Sequence, residues 1–363
     1  MTRREPADHP VDDGVARVGR NAGPVTTRHH GARPTLRDVA EKAGVSFKTV
    51  SRVVNNEPGV RPATAARVVA AIRDLGYQPN VIASSLKRGV AHDTIGLVIE
   101  DVSNPFFATV ARAIEEVTRE RGLLVIIASS DEDRTRERSV IGSLISRRVR
   151  GLVIVPIGRD HRYLAQEMRH GTAVVFLDRP PGHLRADTVL VDNAIGARTA
   201  VEHLIAHGHR RIAVLTDKLE VYTMAERYGG YLSALEAAGI DHRPHLVSHR
   251  CHDIADAHAT AAQMLAGRQP PTAFFCTNNI MTTGAVNAIT ASGRRTALVG
   301  FDDFALAPSL ATPVTVVKAD HEQLGHLGAE LLLRRMDGWS GRPSRITLPM
   351  RIVERGSGEL LPA

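Results

Sequence analysis

Residues 45–52, VSFKTVSR, set Phe47, Lys48, Ser51 and Arg52 on one side of a short helix and turn Val50, with the nearby Val53, to the other. The apolar pair supplies an inward face, so the Phe and the two cations point outward. Lys48 and Arg52 then present donors suited to the O6 and N7 acceptors of guanine, a good pair being worth about 1–3 kcal/mol of discrimination. Phe47 has a thymine methyl as its natural partner; the alternative is that it staples the core of its own small domain. This chemistry recognises a polyanion and breaks no bond. Motifs for catalysis are missing: there is no P-loop, no GxSxG elbow and no GxGxxG after a strand. His245, His249, Cys251, His252 and His258 cluster in sequence, but their spacing fits no tight metal motif. No metal and no cofactor is expected.

Charge and local signals show what must hold that helix. The 363 residues carry a net charge of +7. Residues 31–90 hold ten Lys/Arg against four Asp/Glu, so nearly all of the excess sits in this segment. Thr35, with Asp38 three residues on, is a helix N-cap; Gly44 is a stop, Ser46 a second N-cap, and Pro62 the first turn of a third helix. Ala40 and Gly44 are small enough for the first two helices to cross closely. Ala65, Val68, Val69, Ile72 and Leu75 give the third helix its apolar stripe. The pattern is a helix-turn-helix. From Thr94 onward, apolar strands alternate with amphipathic helices, which predicts βαβ units and mostly parallel sheets in two lobes. Strands are expected at 95–100, 123–128, 151–156, 173–178, 188–191, 212–216, 272–276, 296–301, 313–317 and 346–353. Two cysteines, no apolar run of membrane-spanning length and no export signal in MTRREPADHP point to the cytoplasm and away from a membrane.

The stretches TLRDVAEKAGVSFKTVSRVVNN and YQPNVIASSLKRG, followed by IGLVIEDVSNPFFATVARAIEE, VDNAIGARTAVEHLIAHGHRRIAVL and VGFDD, resemble the LacI/GalR family of bacterial transcription regulators over roughly residues 34–357. The resemblance implies a small all-α helix-turn-helix headpiece at 34–78 after a disordered tail at 1–33. A hinge follows at 79–92, and a two-lobed α/β periplasmic-binding-protein-like (Rossmann-like) effector and dimerisation domain occupies 93–357. Its first lobe takes about 93–191 and 318–343, the second about 192–317 and 344–357, with a tail at 358–363. Phosphate contacts fall to Thr35, Ser46, Ser51, Asn55 and Thr64. In the hinge, Asn80, Ala83 and Leu86 would enter the minor groove, Leu86 prying a base step. Where the family usually has Ser, this chain has Arg61, a weaker cap.

The resemblance also implies effector contacts in a cleft between the lobes: Phe106 or Phe107 stacking on a ligand, Asp178 at a strand end, Arg227, Asn278, and Asp302 taking sugar hydroxyls. Arg227 and Asp302 are expected to face each other across that cleft. Three departures bear on the ligand: Asn279 follows Asn278 where an Asp is usual, His252 stands in for a cleft aromatic, and Val221 for a polar ligand residue. The implied protein is no enzyme but a homodimeric regulator, most readily a repressor. Its partners are double-stranded operator DNA and a small effector, a sugar or nucleoside. A sugar-binding receptor would explain the body but not residues 34–90, and an architectural nucleoid protein would bind without sequence preference.

Overall fold

The computed structural model describes residues 34–55, 57–77 and 92–362, His92 by its backbone alone. The chain divides into a small N-terminal unit and a large body. The small unit holds three helices, α1 (Leu36–Ala43), α2 (Phe47–Val54) and α3 (Pro62–Leu75). Local chemistry sets their ends. Thr35 and Asp38 form a reciprocal capping box: Thr35 N donates to Asp38 Oδ2 at 2.7 Å and Asp38 N to Thr35 Oγ1 at 3.4 Å. Gly44 stops α1 in the left-handed region, at φ 62°. Ser46 Oγ caps α2 by accepting from Thr49 N at 3.1 Å. Val39, Ala40, Ala43, Val50, Val68, Ala71 and Tyr77 form the buried core, with Val53 packed against it.

Arg61 precedes α3 without a side-chain cap hydrogen bond, so that helix relies on Pro62 alone for its start. An Arg61→Ser variant is expected to stabilise α3 by about 1 kcal/mol. Slower amide exchange through α3 in the full-length protein is the readout; unchanged exchange would show that the missing cap is not limiting.

The body contains two six-stranded sheets. In the first lobe the order is β11-β5-β4-β3-β1-β2, all parallel, built from β1 (His92–Ile99), β2 (Leu124–Ser129), β3 (Val149–Ile154), β4 (Ala173–Leu177), β5 (Asp187–Val191) and β11 (Arg345–Leu348). Helices α4 (Pro105–Arg119) and α11 (His321–Met336) join one core with it, and α5 (Arg134–Ser146) another; a short α6 (Ala165–Arg169) precedes β4. The second lobe orders β12-β10-β9-β8-β6-β7, from β6 (Ile212–Leu215), β7 (Val247–Ser248), β8 (Ala273–Cys276), β9 (Ala297–Phe301), β10 (Thr315–Lys318) and β12 (Arg351–Val353). Only β12 runs antiparallel to its neighbour. Helices α7 (Asn193–Ala206) and α8 (Tyr222–Ala237) share one of its cores; α9 (Ile254–Ala266) and α10 (Asn279–Ser292) share the other. The chain passes between lobes after β5, after β10 and after β11. Gly325 permits the α4–α11 contact, since a Cβ there would lie 2.7 Å from the Val110 carbonyl oxygen. That contact seats His321, first residue of α11, edge-on against Phe106 with ring centroids 4.7 Å apart.

Three expectations are corrected. The single strand foreseen at 346–353 is two: Pro349 lacks an N–H and interrupts the ladder, leaving β11 in the first sheet and β12 in the second. Residues 344–348 therefore belong to the first lobe, not the second; Ser344 O accepts from Thr188 N at 2.9 Å. The expected tail at 358–363 is docked over its described part. Glu359 takes His203 at 2.6 Å and Thr315 at 2.9 Å, and the Leu360 carbonyl meets His209 Nε2 at 2.7 Å. Strand β7, two residues long, carries no sequence signal. The expected tail at 1–33, almost all of the hinge, and with it Asn80, Ala83 and Leu86, lie outside the described residues.

Candidate functional site

The outward side of α2 carries Phe47, Lys48 and Arg52, all exposed, Phe47 at 43%. Burial of Val50 against α1 and α3 fixes that orientation, because at about 100° per residue Val50 and Val53 lie opposite Lys48. The exposure of the Phe47 ring favours its outward role. Arg52 Nε lies 3.8 Å from Glu57 Oε2, an exposed pair that competes weakly with any other partner. Ser51 Oγ accepts from Asn55 Nδ2 at 3.3 Å, and Thr64, in the first turn of α3, is half-buried. Thr35 and Ser46 cap the N-termini of α1 and α2, where the helix dipole favours an anion.

In the body, the C-terminal ends of the parallel strands converge between the lobes, where open α/β sheets hold ligands. Arg227, from α8, is buried. Its Nε donates to Asn193 Oδ1 at 2.7 Å, and its Nη1 to the Thr277 carbonyl at 2.6 Å and Asp302 Oδ2 at 3.2 Å. Its guanidinium stacks 3.7 Å over the Phe301 ring. Asp302 sits just after β9 at φ 66° and also meets His321 Nε2 at 3.1 Å. Burial pushes the Asp302 carboxyl up, but the Arg227 charge and the His321 bond outweigh it and hold it below the usual carboxylate range. The expectation that Arg227 and Asp302 face each other across the cleft is thus corrected: both belong to the second lobe and pair directly, and the group reaching them from the first lobe is His321. Sequence reading missed His321; its position at the start of a helix directly after a lobe crossover was the available signal.

A second group of charges lies at the ends of β1, β2, β4 and β6. Asp178 is buried at φ 62°, its Oδ1 without a hydrogen-bond partner among the described residues, and burial pushes its carboxyl up. The neighbouring Arg179 bonds Glu100 through Nη2, which also reaches Glu132 Oε1 at 3.3 Å, while its Nε and Nη1 have no such partner. Glu132 is pushed up to about 7 by burial and by the charge of Glu100, against the pull of Arg179. His252 Nδ1 lies 2.8 Å from Asp217 Oδ2, and that bond raises the imidazole above its ordinary value. Asp178 feels the charges of both Arg179 and Arg227, which ties this group electrically to the Arg227–Asp302 pair.

Of the other expected residues, Phe106 and Phe107 both pack in the first-lobe core, and Phe106 also touches His321 at the lobe junction. Asn278 spends its side-chain oxygen capping α10, accepting from Met281 N at 2.8 Å. Its neighbour Asn279 reaches the first lobe instead, donating to Asn104 Oδ1 at 3.1 Å. The histidine-rich run does not converge. Cys251 is buried, His249 packs edge-on against Tyr228, and of the five only His252 joins the charged group.

The Glu132 carboxyl sets a pH dependence. Its folded pKa, about 7, lies above the ordinary 4.5, so its contribution to stability is fully present below pH 4.5 and lost as pH rises through 7. Glu132→Gln imitates the protonated form. In chelator-treated protein the variant is expected to gain on wild type between pH 5 and 8, by on the order of 2–3 kcal/mol. Urea unfolding at the two pH values measures it; parallel curves for both proteins would refute it.

The description "Bacterial regulatory proteins, lacI family" matches residues 35–80, and "Periplasmic binding protein-like domain" matches 201–358. The chain is 34% identical over 338 residues to the HTH-type transcriptional regulator CelR of Thermobifida fusca, spanning 90% of this chain and 98% of that one. The solved complex of the transcriptional regulator CelR with cellobiose is similar at a TM-score of 0.67 and 32% identity, over 90% of this chain and 100% of that chain. The lac repressor dimer bound to operator and the anti-inducer ONPF is similar at a TM-score of 0.74 and 28% identity, over 90% and 99%. No helix among the described residues is long and apolar enough to cross a membrane. With a helix-turn-helix whose recognition face is basic and a two-lobed body whose strand ends converge on buried charges, the chain belongs to the LacI family of bacterial regulatory proteins and is a DNA-binding transcription regulator.

Proposed function

We propose that this regulator is a cytoplasmic homodimeric repressor whose affinity for a pseudo-palindromic operator is set by a hydroxyl-rich effector, a sugar or nucleoside, held between its lobes. The carrying observation is the outward triplet Phe47, Lys48 and Arg52 on an α2 locked by Val50. Lys48 and Arg52 read bases, Phe47 packs on a thymine methyl, and Thr35, Ser46, Ser51, Asn55 and Thr64 contact phosphates. Asn80, Ala83 and Leu86 make the minor-groove part of the contact. In the cleft, Asp302 and Arg227 offer an acceptor and a donor side by side, Asp178 an oxygen without a hydrogen-bond partner among the described residues, Phe106 a ring edge, and His252 a polar wall. This set suits an uncharged polyol, and the similar CelR, solved as a complex with cellobiose, supports that class. Asn278 is retained only as the cap that places Asn279. The chain acts by binding and not by turnover.

Dimerisation is supported by the edge strand β2, whose Leu124, Ile126 and Ile127 are exposed, Leu124 at 71%. A bare apolar edge strand invites pairing, and the similar lac repressor is a dimer. The test joins operator selection from random duplexes, light scattering, and a thermal-shift screen of sugars and nucleosides. A ligand at 100-fold its Kd adds about 2.7 kcal/mol of stability. Selection yielding no shared, palindromic sequence would overturn the DNA reading, and a monomer at working concentration the dimer.

A further inference from the structure

The acidic group at the strand ends has more charge than its own cations match. Arg179 is shared between Glu100 and Glu132. Asp217 has only the imidazole of His252 beside it among the described residues, and Glu132 lies close to both. One donor atom from each of these three residues can be chosen so that all lie within 4.8 Å of one another. They come from three separate segments: Glu132 follows β2 in the first lobe, while Asp217 follows β6 and His252 precedes α9 in the second. Nearby, the buried Asp178 Oδ1 has no hydrogen-bond partner among the described residues, which costs about 1–3 kcal/mol unless a bound species satisfies it.

We propose that Glu132, Asp217 and His252 form a binding site for a divalent transition-metal cation of the zinc or cobalt class, joining the two lobes. One imidazole and two carboxylates are the donor set such ions take when three protein ligands leave a further position for water or a ligand oxygen. The two carboxylate charges balance the ion with neutral imidazole, and Glu100 is left to balance Arg179. The short His252–Asp217 contact becomes a shared edge of the coordination shell. The spacing motifs that make metal sites legible in sequence are absent because the ligands come from three loops. A metal here draws the first lobe onto the second and favours the closed body. Its effect on operator affinity rests on the regulator reading above, whereas binding itself does not.

The experiment uses the full-length protein stripped with chelator, then titrated with Co2+ and with Zn2+ alone, followed by calorimetry, visible d–d absorption and thermal shift. Wild type is expected to bind one ion per chain and to melt at a higher temperature with it. His252→Ala and Asp217→Asn are expected to weaken binding by about 100-fold or more. A His245→Ala/His258→Ala double variant is expected to bind as wild type does. Glu132→Gln keeps the second-lobe ligands and is expected to retain weak binding while losing most of the thermal shift, which a site confined to the second lobe would not show. Three outcomes overturn the proposal: no ion bound at 1:1 stoichiometry, binding undiminished in both His252→Ala and Asp217→Asn, or binding abolished by the His245/His258 variant. Selected-operator binding by the stripped protein is scored separately, so the metal site and the regulator reading fail independently.

Discussion

An Asp302→Ala variant is expected to lose about 3–5 kcal/mol of stability, because the Arg227 guanidinium would stay buried without its counter-charge. Removing one partner of a buried pair costs more than the pair is worth, since the other cannot return to water. His321 also loses its acceptor, and Ala tolerates the left-handed backbone at 302 less well than Asp does. Asp302→Asn keeps the shape and an oxygen acceptor, so its loss is expected to be the smaller. The decisive comparison is a cycle with Arg227→Met. If the two residues act as a buried unit, Arg227→Met/Asp302→Ala unfolds at higher urea than Asp302→Ala alone, although it has lost more polar contacts. Additive losses would show that Asp302 matters for its backbone position and not for the charge of Arg227. In either variant the headpiece is untouched, so operator binding is expected to survive while the response to effector disappears.

The same pair shows how far the sequence carried. That Asp178 stands at the carboxyl end of its strand was legible from the βαβ alternation, whereas Asp302 was placed through the resemblance of VGFDD. The partner of each side chain was not legible. Arg227 and Asp302 are 75 residues apart, and only the packed sheet shows that they share a lobe and that His321 arrives from the other. The headpiece was legible almost entirely, since its signals are local: Thr35 with Asp38, Gly44, Ser46 and Pro62 each act within one turn. Residues 344–348 went to the wrong lobe because a run of apolar and β-branched residues says strand but not which sheet. The role of Pro349 as a break becomes plain only once two sheets compete for its flanks. Glu100, Glu132 and Asp217 were missed for a related reason: a lone acid in a loop is ordinarily a solvated surface group.

Arg52→Ala is expected to weaken binding to a selected operator by about 1–3 kcal/mol per half-site. That is roughly 5- to 150-fold, and more when both subunits of a dimer carry the change. Folding stability is expected to stay within about 0.5 kcal/mol of wild type, because the side chain is exposed and its ion pair with Glu57 is a loose surface contact. Stability and affinity therefore separate, which a headpiece-packing role for Arg52 would not allow. A base contact and a phosphate contact also separate. If Arg52 reads a guanine, the variant loses discrimination at one base pair of each half-site and keeps its affinity for unrelated duplexes. If it contacts phosphate, affinity falls evenly for all sequences and the salt slope drops by about one. Glu57→Ala is the complement. It frees Arg52 from its neighbour and is expected to raise operator affinity slightly while leaving the preferred sequence unchanged. Anisotropy titrations of both variants against the selected operator and single-base-pair changes, at two salt concentrations, distinguish all of these. An Arg52→Ala protein that keeps wild-type affinity and wild-type preference would remove α2 from the role of recognition helix.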